Sequence, residues 1–143
     1  MRRTQSRRES GAVAPLTAVM LLGLLAVAAL VIDGGVLFAA RRDLQGLADG
    51  AARAGAMAVD EELLRGTGAV RLDPTAARAA AGRYLEAGGF EGAARIDADM
   101  LSVTVDLEET RPTLMMGLLG VRVVRVTAHA VARPRVGIEE AGG

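Results

Sequence analysis

Residues 12–32 read AVAPLTAVMLLGLLAVAALVI, 21 positions without a charge, of which only Pro15, Thr17 and Gly23 are not apolar. A helix through them rises about 1.5 Å per residue and reaches about 31 Å, the thickness of a bilayer's hydrocarbon core. Extending the run toward Ala40 would place a carboxylate at mid-bilayer, which costs about 2.5–3.5 kcal/mol on insertion scales, so Asp33 marks the membrane boundary. Ahead of the run stand Arg2, Arg3, Arg7 and Arg8 against Glu9 alone, whereas the next basic residues behind it are Arg41 and Arg42. Basic flanks stay on the cytoplasmic side. The expected topology is therefore a single pass through the cytoplasmic membrane, N-terminus inside and everything beyond Asp33 outside.

A cleaved secretory signal is the competing reading, with Ala26-Val27-Ala28 as its small-x-small site. The apolar run exceeds the usual h-region of about 7–15 residues and continues past that site through residues 29–32, which favours a retained anchor. A twin-arginine export signal fits less well, because Arg7-Arg8 is followed by Glu9-Ser10.

Composition narrows the chemistry. In 143 residues there is no Cys and one His, so thiol nucleophiles, disulfides and Cys-ligated zinc are ruled out and His-based catalysis lacks partners. The aromatics Phe38, Tyr84 and Phe90 are too few for a single-strand stacking platform, and 17 Arg balance 17 acidic residues, so no nucleic-acid partner is expected. No nucleophile with a base, no metal set and no Gly-rich phosphate loop is present, so no catalytic, cofactor or metal site and no small-molecule substrate is expected. The absence of Lys and Asn beside 28 Ala and 18 Gly reads as the codon bias of a GC-rich bacterial genome.

Beyond Asp33, apolar residues fall at Leu37, Ala40, Leu44, Leu47, Ala51, Ala54 and Ala58, alternating three and four apart. That spacing predicts a helical packing seam of about three heptads. No Pro interrupts residues 17–64, so one helix of roughly 50 residues is expected, half in lipid and half outside, with Gly34-Gly35 as a site for a bend. A second helix is predicted with Asp73 as N-cap, Pro74 at its first position and Gly88-Gly89 as its stop; Ala77, Ala80, Ala81, Tyr84 and Leu85 form its apolar face. From residue 94 the period becomes two. Leu101, Val103, Val105 and Leu107 alternate with polar residues, residues 94–97 pair with them through a turn at Ala98-Asp99, and Val124, Val126, Ala128, Ala130 and Ala132 line one face of a last strand. A phase shift at Val123-Val124 suggests a bulge.

The expected fold is α+β: a single-pass membrane protein whose long N-terminal helix packs on a small helix and a roughly three-stranded antiparallel sheet. Its parts are a basic cytoplasmic leader (1–11), the span (12–32), the outer continuation of the helix (33–66), a small domain (67–133) and a polar tail (134–143). The 77 residues after Gly66 make a marginal core alone and need the outer helix to pack against.

Residues 31–56, VIDGGVLFAARRDLQGLADGAARAGA, following a basic start and an apolar span, resemble the N-terminal signature of TadE/TadG-like proteins of the Tad (Flp) pilus-assembly system. The matching positions are Ile32-Asp33-Gly34-Gly35, Arg41-Arg42, Leu44-Gln45, Ala48-Asp49 and the Ala-rich residues 51–58. The Val-alternating strand at 101–107, the Pro-Thr-apolar-Gly connection at 112–120 and the Ala-alternating strand at 124–132 resemble the rest of such proteins. The resemblance implies a pilin-like or pseudopilin-like fold and a minor structural or assembly role, acting through helix packing. Its implied partners are other pilin-like Tad subunits, the inner-membrane assembly platform and membrane lipid. It also implies a leader-processing site at Gly11-Ala12, although the fifth residue from Ala12 is Leu16 where pilins carry Glu. The alternative is an anchored or secreted extracytoplasmic protein unconnected with pili.

Several residues carry two readings. Asp33 is either the first solvated residue after the span or the partner of a basic group on a neighbouring helix. Leu114, Met115, Met116, Leu118 and Leu119 are either a docking patch or a lid on the small core. Asp60-Glu61-Glu62 reads as a solvated charge run, since three consecutive helical residues cannot converge on one cation. His129, beside Arg125 and Thr127 on a polar strand face, reads as structural.

Overall fold

A computed structural model describes residues 10–134 of the chain. Its elements are helix α1 (Ser10–Ala56), the short helix α2 (Glu61–Thr67), helix α3 (Pro74–Ala87), strands β1 (Ala93–Ala98) and β2 (Val103–Pro112), a 3-10 turn (Met116–Leu119) and strand β3 (Val123–Ala132). The three strands form one antiparallel sheet in the order β1-β2-β3. The expected α+β architecture is what the chain adopts. The basic leader through residue 9 and the tail from residue 135 lie outside the described residues.

The 47 residues of α1 run unbroken through Gly34 and Gly35 and reach about 70 Å at 1.5 Å per residue. The two halves of this helix differ. Along residues 13–32 every side chain except that of Ala29, which is half-buried, is exposed, Leu24 at 73% and Met20 at 72% among them. From Asp33 onward one side is buried. A helix apolar on every side and covered by nothing is unlike the core helix of a globular domain, which hides its apolar stripe.

The core lies between the sheet and the two long helices. Leu44, Ala48, Ala51 and Ala52 of α1 and Ala77, Ala81 and Leu85 of α3 meet Val103, Val105 and Leu107 of β2, Val126, Ala128 and Ala130 of β3, and Ala98 of β1. Because so many of these residues are alanine, the layers approach closely. A Cβ built on Gly55 would stand 2.9 Å from the Ala77 carbonyl oxygen and 3.0 Å from Val103 Cγ1. The opposite sheet face is polar, with Asp106 and His129 directly paired across the strands, Nδ1 to Oδ1 2.6 Å, and Glu108 reaching Arg125 diagonally at 3.1 Å.

Helix α3 follows its sequence signals closely. The Asp73 carboxylate accepts N–H groups from Thr75 (2.8 Å) and Ala76 (3.1 Å), Pro74 opens the helix, and Gly89 leaves it at φ 67°. Three expectations are corrected. First, the long helix stops at Ala56 and does not reach residue 66. Asp60 N–H donates to the Arg71 carbonyl and Asp73 N–H to that of Ala58, forming a bridge between Val59 and Leu72, and Asp60 caps the separate helix α2 by accepting from Glu62 and Leu63. The apparent charge run is thus an N-cap followed by two exposed glutamates. Second, β2 and β3 pair without interruption from Val103↔Ala132 to Pro112↔Val123, so no bulge stands at Val123-Val124. Val123 is an outward-facing strand residue, 60% exposed, and the phase never shifts. Third, Leu101 is 62% exposed. It sits in the β1–β2 turn, where the Asp99 carboxylate accepts N–H groups from Leu101 and Ser102, both at 2.7 Å.

The seam on α1 also drifts from its expected track. Leu44 and Ala51 are buried as expected, and Leu37, Ala40, Leu47, Ala54 and Ala58 are half-buried, but Ala48, Ala52 and Gly55, outside the expected track, are buried as well. A 3.5-residue repeat and the 3.6 residues of an α-helix part by about 20° per heptad. Over two heptads the seam turns about 40° away from a fixed contact line, less than the roughly 100° between successive residues but enough to bring Ala48, Ala52 and Gly55 under the neighbouring elements beside Ala51, and Ala58 falls beyond the helix end.

Candidate functional site

The apolar and packed halves of α1 join at Asp33, 2% exposed and the only buried charged residue among those described. Its carboxylate reaches across 81–83 positions of sequence to the loop between β2 and β3. Oδ1 accepts the N–H groups of Leu114 and Met115 at 3.1 Å each; Oδ2 accepts that of Met115 at 3.0 Å and that of Met116 at 2.5 Å. The opening N–H groups of any helical turn have no partner inside it. Here Met115, at the N-cap position, makes no side-chain cap bond of its own, and a carboxylate from α1 supplies that function from outside.

These hydrogen bonds set the charge state of Asp33. The Met116 N–H, followed by those of Met115 and Leu114, stabilises the carboxylate and holds its pKa below the usual aspartate value, outweighing the opposing effect of burial. The expectation that Asp33 is solvated is corrected, and its oxygens are occupied by backbone donors of its own chain instead of a basic group on a neighbour.

The loop is closed on itself as well. Thr113 N–H donates to the Arg122 carbonyl at 3.0 Å, the Thr113 hydroxyl to that of Val121, and Val121 N–H to that of Met116 at 3.1 Å. Gly120 ends the 3-10 turn at φ 92°, a conformation that favours glycine. Leu114 is 69% exposed and Met115 is also exposed, so neither serves as a lid on the core; Met116 is half-buried. The side chains of Leu118 and Leu119 lie outside the described ones. The proposed processing positions Gly11 and Ala12 fall in the first turn of α1, and no further structural feature marks them.

Higher on α1, the structure explains residues that spacing alone left without a task. Gln45 Nε2 donates to the His129 carbonyl of β3 at 2.8 Å and to Asp49 Oδ1 at 3.2 Å, tying the helix to the sheet. The Tyr84 ring of α3 crosses α1 where Gly50 has no side chain; a Cβ there would lie 2.5 Å from Tyr84 Cζ. The Gln45 contact has no apolar-periodicity signal; for the second, spacing places Tyr84 on the apolar face of its helix, and the Gly within the helical pattern of α1 is the only hint of where it packs. Among the described residues no three His, Asp or Glu side chains are grouped to hold a metal ion.

Residues 11–58 match the family model described as putative Flp pilus-assembly TadE/G-like. No curated protein and no solved structure matches the chain. The matched stretch coincides with α1 almost from end to end, and it contains Asp33, Gln45, Asp49, Gly50 and Gly55, the residues through which that helix grips the rest of the domain.

Proposed function

We propose that this chain, a Tad pilus-related component by the TadE/G-like match of its first helix, is a minor pilin-like or pseudopilin-like assembly subunit held in the cytoplasmic membrane by residues 12–32. The observation that carries the reading is the continuity of α1: one helix has an uncovered apolar half and a half built into the domain core. Such a helix transmits position and torque between lipid and the small domain without a flexible linker. The N-terminus lies in the cytoplasm and the α+β domain outside, following the basic flank ahead of the span. Within the bilayer, association with other pilin-like subunits and the assembly platform uses side-chain packing between helices, since lipid supplies no hydrophobic drive for it. Leu16, at the fifth position from Ala12, carries no charge to neutralise a neighbour's terminal amine, which favours a membrane-resident subunit over one buried in a filament shaft.

The test is photo-crosslinking in the cell of origin from a reactive residue replacing Leu25, with the adducts identified by mass spectrometry. The expected adducts are Tad pilus proteins, and loss of the protein should reduce surface pili. Adducts only to lipid and to proteins unconnected with pili, together with unchanged piliation, would favour the alternative of an anchored protein with another task.

A further inference from the structure

The exposed loop that Asp33 holds has a position along α1 that follows from those bonds. Asp33 is the first charged residue after the apolar run, so the hydrocarbon boundary falls beside it. Since its carboxylate binds the N–H groups of Leu114, Met115 and Met116 directly, residues 113–122 sit at the same level, against the point where the helix leaves the bilayer. At that level the loop shows apolar side chains outward: Leu114 at 69% exposure, with Met115, Val121 and Val123 beside it. About 7.5 Å above Asp33, on a different side of α1, Phe38 is 77% exposed. The loop residues continue the uncovered apolar surface of the span onto the base of the domain. Arginines surround them. Arg111, at the end of β2 and ion-paired with Glu109 at 3.0 Å, and Arg122, just ahead of β3, are both exposed and flank the loop. The backbone of Arg41 and Arg42 on α1 stands about 12 Å above Asp33 at 1.5 Å per residue, beyond a headgroup layer of about 5–7.5 Å, and their long side chains lean back toward it because helical side chains tilt to the N-terminus.

We propose that the 113–122 loop is a second, interfacial membrane contact, with Leu114 and Met115 inserted at the boundary of headgroups and acyl chains and the flanking arginines meeting lipid phosphates. The occupant is the lipid into which the same chain's helix is inserted, because the apolar surface is continuous with that helix and pinned at its exit. Interfacial elements of this kind combine an apolar edge with basic flanks. Attachment at two points, the span and the loop, fixes the tilt of the domain over the membrane and thereby the face it presents to neighbouring subunits. The inference rests on residues 12–32 crossing the bilayer, and its test separates the two.

The chain contains no Cys, so single-cysteine variants report cleanly. Leu114→Cys, Leu25→Cys and Val131→Cys, in the full-length protein reconstituted into phosphatidylcholine–phosphatidylglycerol vesicles, are labelled with a nitroxide. Their accessibility to oxygen is compared with that to a water-soluble nickel chelate. The expected oxygen-to-nickel ratio is highest at position 25, lowest at 131 on the sheet's polar face, and at 114 several-fold above that at 131. If position 25 reads as lipid-embedded while 114 reads like 131, the loop stands in water and the proposal is overturned. If 114 is shielded from both reagents, a second copy of the chain covers the loop and the proposal is likewise overturned. A water-exposed reading at position 25 overturns the spanning helix on which the proposal depends.

Discussion

Asp33 and Met116 are 83 residues apart in sequence, yet the carboxylate of one accepts the backbone N–H of the other at 2.5 Å, joining the exit of the apolar helix to the loop between the last two strands. This bond and those to Leu114 and Met115 dock a segment in which the side chains of Leu114 and Met115 themselves stay exposed. Asp33→Ala is therefore expected to accelerate amide exchange at residues 114–116 markedly, while the amides of α3 and the central strand β2 keep their protection. Uniform loss of protection across the sheet would contradict the local role.

The same carboxylate gives a direction in pH. Hydrogen bonding lowers the pKa of Asp33 in the folded chain, so the folded state holds its proton less tightly than the unfolded chain does. The stabilisation is present in full above the unfolded value of about 4 and is lost as the pH falls through the lower folded value. Loop docking, followed by a fluorophore attached at position 114, should be constant from neutrality to about pH 5, above that unfolded value, and should weaken only in stronger acid. Asp33→Asn should abolish this acid dependence. Asp99, whose pKa is lowered by the N–H groups of Leu101 and Ser102, acts in the same direction at the β1–β2 turn. The Asn variant therefore isolates the Asp33 share.

Gly55 is a test of the close approach between α1 and its neighbours. A methyl group there meets the Ala77 carbonyl at 2.9 Å and Val103 at 3.0 Å, whereas one at Gly46 meets nothing within 4 Å. Gly55→Ala should destabilise by about 1–3 kcal/mol, the usual range for overpacking a closed site. Gly46→Ala should stabilise by about 0.5–1 kcal/mol through the unfolded chain's lost freedom. Urea unfolding of the detergent-solubilised protein, followed by circular dichroism, separates the two signs.

Asp73 caps α3 with two hydrogen bonds from exposed positions, and its removal leaves those N–H groups to water. Asp73→Ala is expected to cost about 1 kcal/mol, and Asp73→Asn or Asp73→Ser considerably less. The same urea titration measures it, with the slope unchanged because no further surface becomes exposed.

What sequence could reveal tracks how local each cause is. The cap at Asp73 and the stop at Gly88-Gly89 act within one turn, and the alternation of Val103, Val105 and Leu107 is set by the strand's own period. These features were legible. The end of α1 at Ala56 was not, because a bridge between Val59 and Leu72 enforces it and residues 60–62 imitate a helical charge run. Asp33 was noticed as a boundary, but neither of its two readings, solvated or paired with a basic group, gave its partners, which are backbone N–H groups that every residue has and no sequence pattern marks. The seam was found in outline and displaced in detail, since a heptad repeat drifts around a helix that has no long coiled-coil partner to supercoil against.

The central claim is that residues 12–32 remain in the mature protein and keep the domain at the membrane. Intact mass with N-terminal sequencing, applied to both the membrane and the soluble fraction, tests this most directly. A membrane-fraction protein whose first residue is at or before Ala12, with the whole span retained, is expected. A soluble product beginning near Ala29 would contradict it, since the apolar half of α1 would then be a discarded secretion signal and not an anchor.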